Sequence, residues 1–129
     1  MLAVDTNVVV RFLLNDDPAQ ANIARRLIER HDIWVPLTVL LETEWVLRSA
    51  ARLGPDRIQR LLTDFIRLPR VTVEARERAT QALAGFAHGM DFADAIHLVS
   101  SADCAAFATF DRKLAVAAKK AGAGKIKML

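Results

Sequence analysis

The chain has 129 residues, of which 53% are hydrophobic, 18 are lysine or arginine and 15 are aspartate or glutamate, so its net charge is +3. That length and apolar content suffice for one folded core, and we expect a single domain over residues 1–129. No apolar run approaches the ~18 residues of a membrane span and the amino terminus lacks a signal-peptide pattern, so we expect a soluble cytoplasmic protein with no membrane partner.

The first predicted element is a short apolar run. Residues 1–5 are predicted as a buried strand whose polar last residue, Asp5, emerges at the carboxyl edge of a sheet. Thr6 and Asn7 then begin an apolar stretch that continues to Leu14, which we interpret as a buried helix. Because this stretch contains consecutive valines at positions 8–10, those residues could equally extend the strand.

Turn residues and helical spacing predict the remaining elements. Helices are expected at residues 17–30, 37–53, 55–67, 74–88, 91–102 and 111–121. Strands are expected at residues 33–35, 71–73, 107–109 and 125–129. Strands therefore alternate with helices at intervals typical of parallel crossovers, which predicts an α/β fold: a three-layer α/β/α sandwich around a small, mostly parallel sheet.

Four carboxylates occur where apolar stretches turn into helices: Asp5, Glu42, Asp94 and Asp111. Asp5 and Asp111 both follow predicted strands, and the carboxyl edge of a parallel sheet is where α/β proteins bind ligands. Asp94 lies in the first turn of its helix, where interaction with the helix dipole is a simpler explanation. Asp91, one turn earlier, is placed either to cap that helix or to bind a metal.

Glu42 and Glu44 compete for one role, and helix geometry separates them. Two residues apart on a helix, they point roughly 200° away from each other and cannot easily serve the same ion. Glu44 has Arg48 four residues later, in the favourable order for a helical ion pair. Glu42 has only valine and tryptophan as near neighbours on its helix, so its charge needs a partner from elsewhere.

The chain offers little for a soft metal. It has no CxxC or Cys/His cluster, and the single Cys104 is expected to pack as a small hydrophobic residue. His97 lies three residues after Asp94, but we expect it at the core or rim, because hard divalent ions bound by carboxylates prefer oxygen ligands.

The acidic positions occur in an order that resembles the PIN-domain nucleases, and most of all the VapC-type ribonuclease toxins of bacterial toxin–antitoxin pairs. The segments that carry the resemblance are residues 1–7 (MLAVDTN), 41–48 (LETEWVLR), 91–97 (DFADAIH) and 108–114 (ATFDRKL). The resemblance implies an acidic site for Mg²⁺ or Mn²⁺ and cleavage of RNA, often transfer RNA or ribosomal RNA. It also implies homodimerisation and inhibition by a small antitoxin protein.

The resemblance also implies a role for individual residues. Asp5, Glu42, Asp94 and Asp111 would be the catalytic metal ligands, with Asp91 as a further candidate. Asn7 and Thr109 would orient ligands or water from the second shell, and Thr6 would do the same or cap the first helix. If the acids bind a metal, the remaining surface is more cationic than the net charge suggests and would attract a polyanion. The candidates for contact with RNA phosphates are Arg11, Arg48, Arg112 and Lys113.

Three alternatives to this interpretation are considered. A phosphotransferase of the haloacid-dehalogenase type with Asp5 as nucleophile would usually have a second aspartate two residues later, where this chain has Asn7. A receiver-type signalling domain would need a lysine after a late strand, where this chain has residues 109–111 (TFD). A catalytically silent PIN module would bind RNA or protein without cleavage, and the complete acidic set argues against it.

Overall fold

The computed structural model describes residues 1–129 as seven helices and five short strands. The chain forms two units, Met1–Arg76 and Glu77–Leu129. The strands are β1 (Leu2–Ala3), β2 (Ile33–Val35), β3 (Val71–Val73), β4 (Phe107–Thr109) and β5 (Ile126–Met128). The helices are α1 (Thr6–Leu14), α2 (Pro18–Arg30), α3 (Leu37–Ser49), α4 (Pro55–Ile66), α5 (Arg76–Ala87), α6 (Phe92–Ser100) and α7 (Arg112–Ala121).

All strand pairs are parallel. In the first unit the strand order is β1-β2-β3, with Ile33 of β2 opposite Leu2 and Val71. In the second unit β4 pairs with β5, with Phe107 opposite Ile126. The predicted α/β class and the parallel strands are therefore confirmed, and the hydrogen bonds group the strands into two small sheets.

The first strand differs from its prediction. It was expected as a buried run over residues 1–5, but β1 contains only Leu2 and Ala3, and Leu2 is 41% exposed. Only Val4, just beyond the strand, is buried. The strand is short because Asp5 already begins α1 as its N-cap, which leaves only Leu2 and Ala3 to pair with β2.

The three valines after this strand are helical, which resolves the ambiguity left by the sequence. Asp5 accepts a hydrogen bond from the Thr6 backbone N–H at 2.7 Å and begins α1 as its N-cap. Val9 and Val10 are then buried on the inner face of α1. Burial of this face outweighs the modest helix penalty of β-branched residues.

Two predicted helix boundaries shift for identifiable reasons. The helix predicted at residues 37–53 ends at Ser49, because the backbone turns at Arg52, whose φ is +55°, and Leu53 N–H bonds to the Leu47 carbonyl at 3.0 Å. The helix predicted to start at residue 74 starts at Arg76. Glu74 instead extends away from α5, and its Oε1 accepts a hydrogen bond from the Leu37 N–H at 2.9 Å.

Each unit has its own apolar interior. In the first unit the large apolar side chains that are fully buried come from strand β2 and helices α1, α3 and α4: Val9, Ile33, Val35, Leu40, Leu47, Ile58, Leu62 and Phe65. In the second unit Phe86 and Phe92 meet edge to face, with ring centroids 5.6 Å apart.

Cys104 is exposed, so the expectation that it packs as a hydrophobic residue is wrong. None of the helices is long and apolar enough to cross a membrane.

The Glu74 contact predicts a measurable effect on stability. Helix α3 has Pro36 at its N-cap position and no side-chain cap of its own, so the Glu74 carboxylate satisfies a backbone donor of its first turn. Glu74→Ala should lower the free energy of unfolding by ~1 kcal/mol, measured by urea denaturation. Glu74→Gln retains an acceptor oxygen and should lose less. Equal losses in the two variants would show that the Leu37 hydrogen bond does not stabilise α3.

Candidate metal centre

The predicted acidic residues divide between the two units. Asp5 and Glu42 belong to the first unit, and Asp91, Asp94 and Asp111 belong to the second. The ion pairs of the structure join Arg11 to Asp16, Arg48 to Glu44, Arg70 to Asp32 and Arg78 to Asp103. None of the predicted metal ligands takes part in these pairs, so their charges have no arginine or lysine partner.

Thr6 connects the two carboxylates of the first unit. Its backbone N–H donates to Asp5 Oδ1 at 2.7 Å, and its hydroxyl donates to Glu42 Oε1 at 2.5 Å. The possibility that Thr6 caps α1 is wrong, because Asp5 is the cap and Thr6 is the first helical residue. Thr6 is only 5% exposed, so both carboxylates are bonded to a buried residue. Each of these bonds uses one carboxylate oxygen and leaves the other for another partner.

An open cavity of about 480 Å³ lies above this pair of carboxylates, entirely within the first unit. Its lining includes Asp5, Thr6, Asn7 and Glu42, which the sequence predicted as site residues. Arg11 also lines the cavity. Five of the chain's first eleven residues, including Val10, therefore lie at one concave surface with Glu42, which comes more than thirty positions later.

Two of the predicted phosphate-binding arginines already have acidic partners. The Arg11 guanidinium contacts both carboxylate oxygens of Asp16 at 3.0 Å and donates to Gln20. Arg48 Nε lies 2.9 Å from Glu44 Oε2, which confirms the predicted helical ion pair. Glu44 is only 1% exposed, so its charge depends on this arginine. An RNA phosphate would have to compete with these carboxylates for either arginine.

In the second unit, Asp91 and Asp111 both cap helices. Asp91 Oδ1 accepts from the Asp94 N–H at 3.1 Å at the start of α6, so the capping role considered for Asp91 is confirmed. Asp111 Oδ1 accepts from the Leu114 N–H at 3.0 Å at the start of α7. Each cap occupies one carboxylate oxygen and leaves the other. Thr109 Oγ1 accepts from the Asp111 N–H at 3.0 Å and so orients the residue before α7.

The surroundings of Asp94 change the pKa of its carboxyl. Partial burial, followed by the charges of Asp91 and Asp111, raises the pKa of the Asp94 carboxyl above its ordinary 3.8, while His97 acts in the opposite direction. The raised pKa means that the charged form of Asp94 is less favourable in the folded protein than in a free carboxyl. Like-charged carboxylates held at adjacent helix starts are an arrangement that a divalent cation stabilises.

The donor atoms fit a hard divalent ion. All of the predicted ligands offer carboxylate oxygen, the donor that Mg²⁺ and Mn²⁺ prefer. His97 is exposed and its ring stacks on Phe107 with centroids 6.4 Å apart, in agreement with the expectation that it lies at a rim. Within neither unit do three His, Cys, Asp or Glu side chains converge to form a closed metal site. An ion bound by the acidic residues of either unit would therefore use water to complete its coordination, as Mg²⁺ commonly does.

Arg112 and Lys113 are exposed in the first turn of α7 and form no ion pair. They line a cavity with Lys120 and His88, two residues absent from the predicted set. A signal for Lys120 exists in the sequence, because positions 113, 116, 117 and 120 recur at helical spacing and share one face of α7. His88 lies in the turn that follows α5, and no local sequence pattern predicts that it lines this cavity.

Comparison with known families identifies the family of the chain. The family model described as PIN domain matches residues 2–120, and the chain therefore belongs to the PIN-domain family. PIN domains are typically nucleases that use divalent metal ions, which gives nuclease chemistry as the general class of function. No curated protein matches the chain.

The raised pKa of Asp94 predicts how stability depends on pH. A carboxyl whose pKa is higher in the folded state stabilises the fold fully below its ordinary 3.8, and this contribution is lost as pH rises through the folded value. In a metal chelator, Asp94→Asn should therefore match the wild type at the acidic end and become the more stable of the two towards neutral pH. Thermal unfolding across this pH range measures the difference.

Asp56→Asn is the matched control, because Asp56 also lies in the first turn of a helix, α4. It should lose a small amount of stability at neutral pH through its helix dipole, in the opposite direction to Asp94→Asn. Added Mg²⁺ should stabilise the wild type more than Asp94→Asn. An Asp94→Asn variant that is less stable than the wild type at neutral pH in chelator would contradict the repulsion described here.

Proposed function

We propose that this PIN-domain protein is a Mg²⁺-dependent endoribonuclease and the toxin of a toxin–antitoxin pair, with Mn²⁺ able to replace Mg²⁺. The observation that carries the proposal is that the charges of Asp91 and Asp111 act on Asp94, while none of these three carboxylates forms an ion pair with an arginine or lysine. The PIN-domain family supports nuclease chemistry in general. We extend this general nuclease chemistry to the cleavage of RNA, with transfer RNA or ribosomal RNA as the substrate.

In this proposal Asp5, Glu42, Asp94 and Asp111 hold the ion, and Asp91 contributes the oxygen that its cap leaves available. The ion, when bound, neutralises charge on the scissile phosphate and activates a water molecule for attack on phosphorus. Thr6 fixes the orientation of Asp5 and Glu42 through its two hydrogen bonds. No histidine base is required, which agrees with the stacked position of His97 at the surface.

We also propose that the protein is a homodimer that associates through helices. Two large apolar side chains support this: Ile23 on α2 is 68% exposed and Trp45 on α3 is 56% exposed. Removing such side chains from water favours association. Sheet edges are a weaker candidate, because each strand offers only two or three residues for pairing.

Neutral substitutions of the acidic residues test the nuclease proposal. Asp5→Asn and Asp94→Asn should each lower Mg²⁺-dependent cleavage of RNA by ~100-fold or more while the fold persists, because each removes a ligand charge and leaves a similar shape. Purified protein, a labelled RNA and a gel assay with and without chelator measure this. Since the two residues come from different units, loss of the same activity in both variants would show that both units serve one reaction.

Glu44→Gln is the control for this experiment, because Glu44 neighbours Glu42 in sequence but pairs with Arg48. Its effect should appear in stability rather than in the rate of cleavage. Wild-type protein that binds RNA but cleaves none with Mg²⁺ or Mn²⁺ would instead support the catalytically silent PIN module. Full activity in both aspartate variants would refute the assignment of the metal ligands.

We propose that a small antitoxin, encoded beside this protein, inhibits it by placing an arginine against the acidic residues. A guanidinium has planar donors that match carboxylates, so it can exclude the metal ion. Replacing that arginine by alanine should weaken inhibition more than binding, and higher Mg²⁺ should relieve inhibition by the unmodified partner. Calorimetry measures binding and the cleavage assay measures inhibition. An arginine variant that still inhibits fully at every Mg²⁺ concentration would favour simple steric blockage of the RNA.

A further inference from the structure

A basic groove lies along helix α7 in the second unit. Its cavity of about 540 Å³ is lined by residues of α7 and by two residues of the turn that follows α5: Arg112, Lys113, Val116, Ala117 and Lys120, with His88 and Gly89. We call this cavity the α7 groove. No aspartate or glutamate lines it.

The cations of the α7 groove are uncompensated. None of Arg112, Lys113 and Lys120 takes part in an ion pair, whereas Arg11 and Arg48 are both neutralised by carboxylates. A line of cations without acidic partners produces a positive potential that attracts an anionic ligand. Of the predicted phosphate-binding residues, Arg112 and Lys113 in this groove are therefore the two without an acidic partner.

The length of the α7 groove indicates the kind of anion. From Arg112 to Lys120 the helix rises by ~12 Å, at ~1.5 Å per residue. One phosphate ion cannot contact cations at both ends of such a groove, but successive phosphates of a polynucleotide can. Binding of this kind releases counterions and depends strongly on salt.

An exposed aromatic residue adds a second, independent observation. Phe110 is 81% exposed and stands between Thr109, the last residue of β4, and Asp111, the cap of α7. Proteins that bind single-stranded nucleic acid combine a cationic groove with aromatic side chains on which unpaired bases stack. An exposed phenylalanine two residues before the first cation of the groove thus favours a nucleic acid over an acidic polypeptide.

We propose that the α7 groove and Phe110 bind single-stranded RNA, with the backbone along α7 and an unpaired base on the Phe110 ring. The strand would run towards Asp111, the acidic residue at the beginning of the same helix, and so bring a phosphodiester to the acidic group of the second unit. Paired bases are stacked within a duplex and cannot cover Phe110. This selects unpaired segments, such as loops, and it rests on the proposed ribonuclease function.

Binding without turnover tests this inference separately from cleavage. The full chain is titrated, in chelator, into a fluorescently labelled unstructured RNA, and the anisotropy gives the dissociation constant. Lys120→Ala should weaken binding several-fold and reduce the salt slope by ~0.7. Phe110→Ala should weaken it ~10-fold, and Phe110→Trp should restore it, because stacking needs an aromatic face.

Lys119→Ala is the matched control, because Lys119 is an exposed lysine of α7 that does not line the groove. It should leave the dissociation constant within twofold of the wild type. The duplex of the same sequence and a polyglutamate peptide should both bind at least tenfold more weakly than the single strand. These results together support the inference.

Three results would overturn it: an equal effect of Lys119→Ala and Lys120→Ala, no effect of Phe110→Ala, or equally tight binding of polyglutamate. The four variants change three exposed positions, 110, 119 and 120, so circular dichroism should show an intact fold. If these variants bind normally while Asp94→Asn abolishes cleavage, the groove is refuted and the nuclease stands. If binding follows the prediction but no cleavage occurs, the groove stands and the nuclease proposal fails.

Discussion

The orientation of three acidic residues in this protein depends on hydrogen bonds from helix N-termini. Asp5, Asp91 and Asp111 each accept from a backbone N–H at the beginning of α1, α6 and α7. Each bond satisfies a donor that the helix cannot satisfy itself, and the positive end of the helix dipole favours a carboxylate there. The residues that begin the helices therefore also present a carboxylate oxygen outward. A metal ion would use side chains whose orientation the fold has already determined.

Helix geometry separates a structural acid from a candidate functional one on α3. Glu44 points into the interior, where it is 1% exposed and pairs with Arg48, whereas Glu42 is exposed and bonds to the Thr6 hydroxyl. A buried carboxylate needs a nearby cation, and α3 supplies it one turn later. Glu42 has no such cation, so its charge is available to a ligand from outside the helix. The two residues differ in role because they differ by about half a turn in direction.

The same distinction applies to the basic residues. Arg11 and Arg48 are engaged by Asp16 and Glu44 and stabilise the fold around them. The cations of the α7 groove have no acidic partner, although they begin directly after Asp111. Negative and positive charge thus lie next to each other in sequence at the beginning of α7. The proposed substrate matches this arrangement, because an RNA chain carries phosphates that need the cations and, at the scissile position, a metal ion.

Much of this protein is determined by local sequence, and the remainder by contacts between distant residues. The helix and strand positions, the Asp111 cap and the Glu44–Arg48 pair follow from spacing over a few residues, so they could be predicted. Four features could not be predicted in this way. They are the hydrogen bond from Thr6 to Glu42, the hydrogen bond from the Leu37 N–H to Glu74, the exposure of Leu2 and the place of His88 in the α7 groove. Each of these depends on which segments meet in space. Local pattern specifies the elements and their capping residues, but only tertiary packing decides which side chains become neighbours and which charges remain without a partner.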